Sequence, residues 1–233
     1  MLFGWFYYDW TVLIVLPALI ISLWAQIKVN STYEKYAKVY TRGGITGADV
    51  ARRILDAHGL QHVRVEHVRG HLTDHYDPRA NVIRLSDSVY ASASAAAIGV
   101  AAHEAGHAVQ HAEGYFPLRV RSTVIPATRF GSMLSIPLFF IGLILASPAL
   151  LLLGIGLYSL VAFFQLITLP VEFNASSRAI AVLRSSGMLS EEELSAAKKV
   201  LTAAALTYVA ALLTSLLTLI RLIVLAGGRS NRR

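Results

Sequence analysis

The sequence has no cysteine, which excludes disulfide bonds and removes thiolates from the candidate metal ligands. Charge is scarce as well. Asp, Glu, Lys and Arg make up 15% of the 233 residues, where a soluble globular domain carries roughly 25%. The scarcity is concentrated: residues 10–27, 130–171 and 200–220, tracts of 18, 42 and 21 residues, contain no charged side chain. A helical membrane span needs about 20 residues, so each tract reads as membrane-embedded. The segment before the first tract also lacks Lys and Arg, and no small-residue cleavage site follows it. Those absences point to a retained anchor rather than a cleaved signal peptide.

The middle tract is long enough for two passes, and Ser147-Pro148 near its centre has turn chemistry. Four spans are therefore expected. Acidic residues are outnumbered by basic ones, 14 against 21, giving a formal charge of +7. Thirteen of the 21 basic residues fall within residues 28–129, between the first and second spans. That clustering matches a cytoplasmic segment beside anionic lipid and gives no reason to invoke nucleic acid. The expected location is the cell membrane, multi-pass, with both termini outside and the active site on the cytoplasmic face. Trp5, Tyr7, Tyr8 and Trp10 read as an aromatic belt at the first span.

Residues 28–42 are polar and basic, and are expected to lead along the membrane surface. Thr46-Gly-Ala-Asp49 reads as a capping box opening a helix through Ala57 that stops at Gly59. Over residues 63–85 the pattern shifts to alternation, and Asp77-Pro-Arg-Ala-Asn81 carries turn chemistry, so short strands forming a small antiparallel sheet are expected. Residues 94–112 are Ala-rich and free of proline, which favours helix, with Gly114 placed to end it. A further helix is expected over residues 171–183, closing at Gly187. Ser190-Glu-Glu-Glu193 then opens a last long helix.

The Ala-rich helix contains His103-Glu104-Ala105-Gly106-His107. Four residues advance a helix by about 400°, so both imidazoles project from one face, about 40° apart, and can share one ion. Glu104 lies at the edge of that face, placed to act as general base on water without ligating. Zinc is the expected metal, one per chain. A catalytic zinc takes three protein ligands and leaves a position open for water. Two residues compete for the third place. His111 is on the same helix, about 80° round from His103 and about 6 Å along the axis from His107, and Glu172 is on a separate segment.

Residues 102–111 (Ala-His-Glu-Ala-Gly-His-Ala-Val-Gln-His), residues 72–79 (Leu-Thr-Asp-His-Tyr-Asp-Pro-Arg) with Leu85-Ser86, and residues 168–179 (Thr-Leu-Pro-Val-Glu-Phe-Asn-Ala-Ser-Ser-Arg-Ala) together carry a resemblance that spans nearly the whole chain. They closely resemble the bacterial family of membrane proteins described as putative neutral zinc metallopeptidases. That family looks like a relative of the gluzincins, in which a Glu from a later helix joins the two motif histidines. The resemblance implies Glu172 as third ligand. Better-known membrane gluzincins place an Asp four residues after the ligand Glu, where this chain has Ser176. Ser176 or Asn174 is then the candidate to orient a ligand imidazole.

The expected fold is mainly α: an integral membrane helical bundle of about four spans, a zincin-like helical catalytic region and a small antiparallel β-sheet. Along the chain this gives an anchor over residues 1–27 and a catalytic region over 28–129. A membrane hairpin follows over 130–171, the third-ligand helix and its connection over 172–199, and a final membrane helix with a basic tail over 200–233. Arg178 is the candidate to stabilise a developing oxyanion. His71 and His75 read as part of a surface strand that could serve as a substrate edge, while Tyr115 and Tyr76 are minor candidates to assist the transition state. The leading function is zinc-dependent proteolysis of membrane or membrane-adjacent proteins. The alternative, from a different class, is a non-catalytic scaffold in which zinc staples two helices. Glu104 separates them, because a scaffold has no use for a general base.

Overall fold

A computed structural model describes residues 9–230, so Trp5, Tyr7, Tyr8, Arg232 and Arg233 lie outside the described residues. The helices are α1 (Val12–Tyr36), α2 (Gly47–Ala57), α3 (Ala95–Ala112), α4 (Phe116–Ile144), α5 (Pro148–Ser185) and α6 (Glu191–Ser230), with strands β1 (Arg64–Val68), β2 (His75–Asp77) and β3 (Val82–Ser86) between α2 and α3. Four of the helices, α1, α4, α5 and α6, are long and apolar enough to cross a membrane. The 42-residue uncharged tract does break into two helices, with Ala146 at positive φ and the second helix starting at Pro148.

Two long helices exceed what a bilayer requires. The 38 residues of α5 and 40 of α6, at about 1.5 Å each, are nearly twice the roughly 30 Å of a hydrocarbon core. The helix expected over residues 171–183 is accordingly the second half of α5, which continues through Pro170. In the same way α1 continues to Tyr36, so part of the expected surface lead is the end of that helix.

The chain divides into two compact units. One comprises residues 1–25, 120–169 and 207–233, and the other residues 26–119 and 170–206. In the first, large apolar side chains such as Leu13, Leu19, Leu23, Phe130 and Leu152 are exposed, as expected for surfaces solvated by lipid rather than water. Small residues bring α4 and α5 together: a Cβ on Gly154 would lie 2.9 Å from the Phe139 nitrogen and the Ser135 oxygen. Such close backbone approach is the usual device for packing helices where no hydrophobic drive exists between them. Asp9 and Thr11 both bind the Arg221 guanidinium, at 2.5 Å and 3.1 Å.

The second unit has a water-type core. Val50, Ile54 and Leu55 of α2, Ile83 and Leu85 of β3, Ile98, Ala101, Ala102 and Ala105 of α3, Leu183 of α5 and Leu201 of α6 are buried together. The Thr46–Asp49 capping box is present in both directions, and Gly59 and Gly114 take positive φ just beyond α2 and α3. Ser190 and Glu193 cap α6 reciprocally. The sheet is three-stranded and mixed, in the order β1-β3-β2. β2 pairs antiparallel with β3, as expected from the Asp77–Asn81 turn, while β1 joins the other side of β3 in parallel. Parallel pairing needs no tight turn, only a crossover, so local turn residues carried no signal for it. β3 is therefore central, its backbone groups used on both sides, and β2 is the edge facing away from β1.

Candidate metal centre

α3 forms because its sequence is Ala-rich and because Ser94, fully buried, accepts a hydrogen bond from the Ala97 N–H at its start. Alanine gives helix propensity and also lets neighbours approach closely. A Cβ added at Gly106 would lie 2.8 Å from the carbonyl oxygen of Ala175 on α5. The backbones of α3 and α5 therefore meet one residue before His107 and three residues after Glu172.

That contact brings together two imidazoles and a carboxylate. His103 Nε2 and His107 Nε2 lie 3.3 Å and 3.4 Å from the same oxygen of Glu172, Oε2. Their ligand atoms, all within 4.8 Å of one another, form a group able to hold a metal ion. The donor set, N, N and O, is the one zinc accepts. Ligands at about 2.0–2.1 Å in tetrahedral array stand about 3.3–3.4 Å apart, so the two nitrogen–oxygen spacings fit that ion. The side chains are 13%, 12% and 4% exposed for His103, His107 and Glu172, so the carboxylate is the most deeply buried of the three.

Each ligand imidazole is held through its other nitrogen. His103 Nδ1 lies 3.1 Å from the Ser176 hydroxyl, one turn beyond Glu172 on α5. His107 Nδ1 lies 3.0 Å from Gln110 Oε1. Burial disfavours a charged His107, yet its hydrogen bond to Glu172 and the fields of Glu104 and Glu172 outweigh that and raise its pKa above the usual range. The local electrostatics thus favour positive charge at this spot, which a metal ion supplies. Glu104 is itself buried and is not a member of the three-residue group.

The remaining candidates lie elsewhere. His111 is exposed, with Nδ1 3.1 Å from the Tyr76 hydroxyl. Arg178 pairs with Glu113 at 2.7 Å and donates from Nε to Asn174 Oδ1 at 2.7 Å. His71 stacks edge-on with Tyr33, and His75 contacts the Thr73 carbonyl and Arg84. Tyr115 closes the end of α3 through its backbone N–H to the Gln110 carbonyl. Sequence reasoning passed over Gln110, which is completely buried. Its signal was available: a lone amide on an Ala-rich helix, three residues after a motif histidine and hence on the same side of the helix.

The family described as "Putative neutral zinc metallopeptidase" matches residues 11–227. The chain belongs to this family. It is 52% identical over 221 residues to a protein of Bacillus subtilis (strain 168) named "Putative membrane protease YugP", a match covering 94% of this chain and 98% of that one. No solved structure matches it. A zinc peptidase family implies zinc and a protein or peptide substrate, and the four apolar helices fit a membrane protein.

Proposed function

We propose that the chain is a membrane-embedded, zinc-dependent endopeptidase that hydrolyses peptide bonds of membrane or membrane-proximal proteins, with one zinc per chain on His103, His107 and Glu172. The observation that carries the reading is the convergence of those three side chains, with Nε2–Oε2 spacings of 3.3 Å and 3.4 Å, beside a buried Glu104 that is outside the group. Zinc in such a site supplies Lewis acidity and an acidified water, with a pKa near about 7. The chain's own residues do the rest. Glu104 accepts a proton from the attacking water at its carboxylate and delivers it to the leaving amine. His103 and His107 present Nε2 to the ion, and Glu172 neutralises part of its charge.

A buried carboxylate beside the ligands is costly without a task, and general-base chemistry gives Glu104 one; a zinc-stapled scaffold does not. For substrate alignment we assign the outer edge of β2, whose Tyr76 meets His111 near the end of α3. An extended segment adding to that edge gains backbone hydrogen bonds whatever its side chains. We place the site on the cytoplasmic face of the cell membrane, because 13 of the 21 basic residues lie within residues 28–129, and close to the headgroups, because Glu172 directly follows the uncharged tract. Arg178, engaged by Glu113 and Asn174, is given an orienting task rather than contact with an oxyanion.

The test compares metal content and cleavage of an unstructured peptide in purified native chain, Glu172→Ala and His111→Ala. Native chain and His111→Ala are expected to hold one zinc each, with activity removed by a chelator and restored by zinc. Glu172→Ala is expected to lose both metal and cleavage. Zinc retained in Glu172→Ala but lost in His111→Ala contradicts the assignment. Outside labelling, in intact cells, of a cysteine placed at Asp77 contradicts the cytoplasmic placement.

A further inference from the structure

Beyond its ligands, the centre contains a directed chain of hydrogen bonds. Gln110 is fully buried. Its Nε2 lies 2.9 Å from the Val171 carbonyl oxygen and 2.9 Å from Asn174 Oδ1, while its Oε1 lies 3.0 Å from His107 Nδ1. A backbone carbonyl can only accept, so the amide NH2 of Gln110 must face Val171. The Gln110 oxygen is then forced towards His107, and an oxygen can only accept. His107 Nδ1 must therefore carry a proton, so in the neutral ring, the form that binds a metal, it is Nε2, the nitrogen facing Glu172, that keeps the lone pair.

The next link has the same sense. The Arg178 guanidinium can only donate, and its Nε–H points at Asn174 Oδ1 from 2.7 Å. That fixes Asn174 with its oxygen towards Gln110, where it accepts the second N–H of the amide. Arg178 is held in turn by Glu113 at 2.7 Å. His103 has no such device: its Nδ1 faces the Ser176 hydroxyl, which can donate or accept and so imposes no tautomer.

Resting on the zinc site proposed above, we propose that Gln110 is a positioning residue that locks His107 in the Nδ1–H tautomer, with Asn174 and Arg178 fixing the sense of the Gln110 amide. The two histidine ligands are thus unequal. His107 is preset for metal by the fold, whereas His103 is set by the metal itself. Partners of this kind typically carry about 10–100-fold in metal affinity.

The experiment uses the full chain in detergent, with Gln110→Met, which keeps an unbranched side chain, beside Ser176→Ala and Asn174→Asp. Zinc affinity is measured by chelator competition, and imidazole nitrogen shifts are read by 15N NMR on the metal-free chain in alkaline buffer. Native His107 is expected to be a single Nδ1–H tautomer, and in Gln110→Met to become a mixture, with zinc affinity about 10–100-fold weaker. Ser176→Ala is expected to leave the His107 tautomer unchanged. Asn174→Asp, whose carboxylate accepts from Gln110 and Arg178 as the native Oδ1 does, is expected to stay near native in both readouts.

A mixture of tautomers at His107 in the native chain overturns the inference, and so does native zinc affinity in folded Gln110→Met. The native NMR result decides the matter even if Gln110→Met does not fold. Native chain that binds no zinc yet shows the locked tautomer removes the zinc reading and leaves the lock standing.

Discussion

Replacing Gly106 by alanine adds one methyl group at the point where α3 and α5 touch, and the structure gives the size of the disturbance. The new Cβ would lie 2.8 Å from the Ala175 carbonyl oxygen and 3.4 Å from its carbon, whereas a carbon–oxygen contact ordinarily sits at about 3.3–3.6 Å. The obstacle is helix backbone, which cannot rotate away as a side chain can. The two helices must therefore part by roughly 0.5 Å or more along this line, the looseness at which a preorganised site begins to fail. Glu172 is three residues from Ala175 on the same rigid helix, so it moves with it. Its Oε2, now 3.3 Å and 3.4 Å from the two imidazoles, retreats by a similar amount, while metal–ligand distances tolerate only about 0.2 Å. Zinc affinity, measured by chelator competition, is expected to fall at least as far as when an orienting partner is lost, about 10–100-fold. Gly156→Ala is the control: it lies on α5 and has open space around its missing Cβ. It is expected to bind zinc as the native chain does. Native zinc affinity in folded Gly106→Ala would refute the reasoning that this contact sets the ligand spacing.

Two further outcomes follow from the surroundings. Ser94→Ala removes the hydrogen bond that Ala97 N–H donates at the start of α3 and is expected to destabilise the fold by about 1 kcal/mol; thermal unfolding in detergent should drop while zinc affinity holds, and an unchanged midpoint contradicts the cap. Asp74 accepts from the Ser86 N–H and hydroxyl, but burial dominates and raises its pKa above the ordinary aspartate range. The folded chain then binds this proton more tightly than the unfolded chain, so this group lowers stability as pH rises from the ordinary to the raised value. Asp74→Asn removes that dependence, and its stability relative to native should increase from acid to neutral pH; a difference that is constant across that range contradicts the shift.

Much of this was legible because the signals are local. Uncharged tracts reveal spans wherever lipid replaces water, and Thr46 and Ser190 announce helix starts through hydrogen bonds spanning three residues. His103 and His107 share a face by helical period alone. Glu172 was reachable from the resemblance, though nothing in its own neighbourhood distinguishes it from an interfacial carboxylate. What stayed hidden depends on long-range packing. The parallel β1–β3 pairing joins residues 18 positions apart, as in Arg64 with Val82, and it makes β3 the central strand and leaves β2 at an edge. The uninterrupted course of α5 through Pro170 was also unreadable, because a proline near a polarity change looks like a helix boundary. Gln110 exerts its effect through Val171 and Asn174, more than 60 positions away, and only the fold brings them together.

The central claim is that Glu104 acts on water while His103, His107 and Glu172 hold the metal, and Glu104→Gln separates those tasks with almost no change of shape. The decisive measurement is zinc content and peptide cleavage on the same purified Glu104→Gln sample. One zinc per chain with cleavage reduced by about 10²–10⁴-fold is expected. Full cleavage with zinc in place would contradict the account.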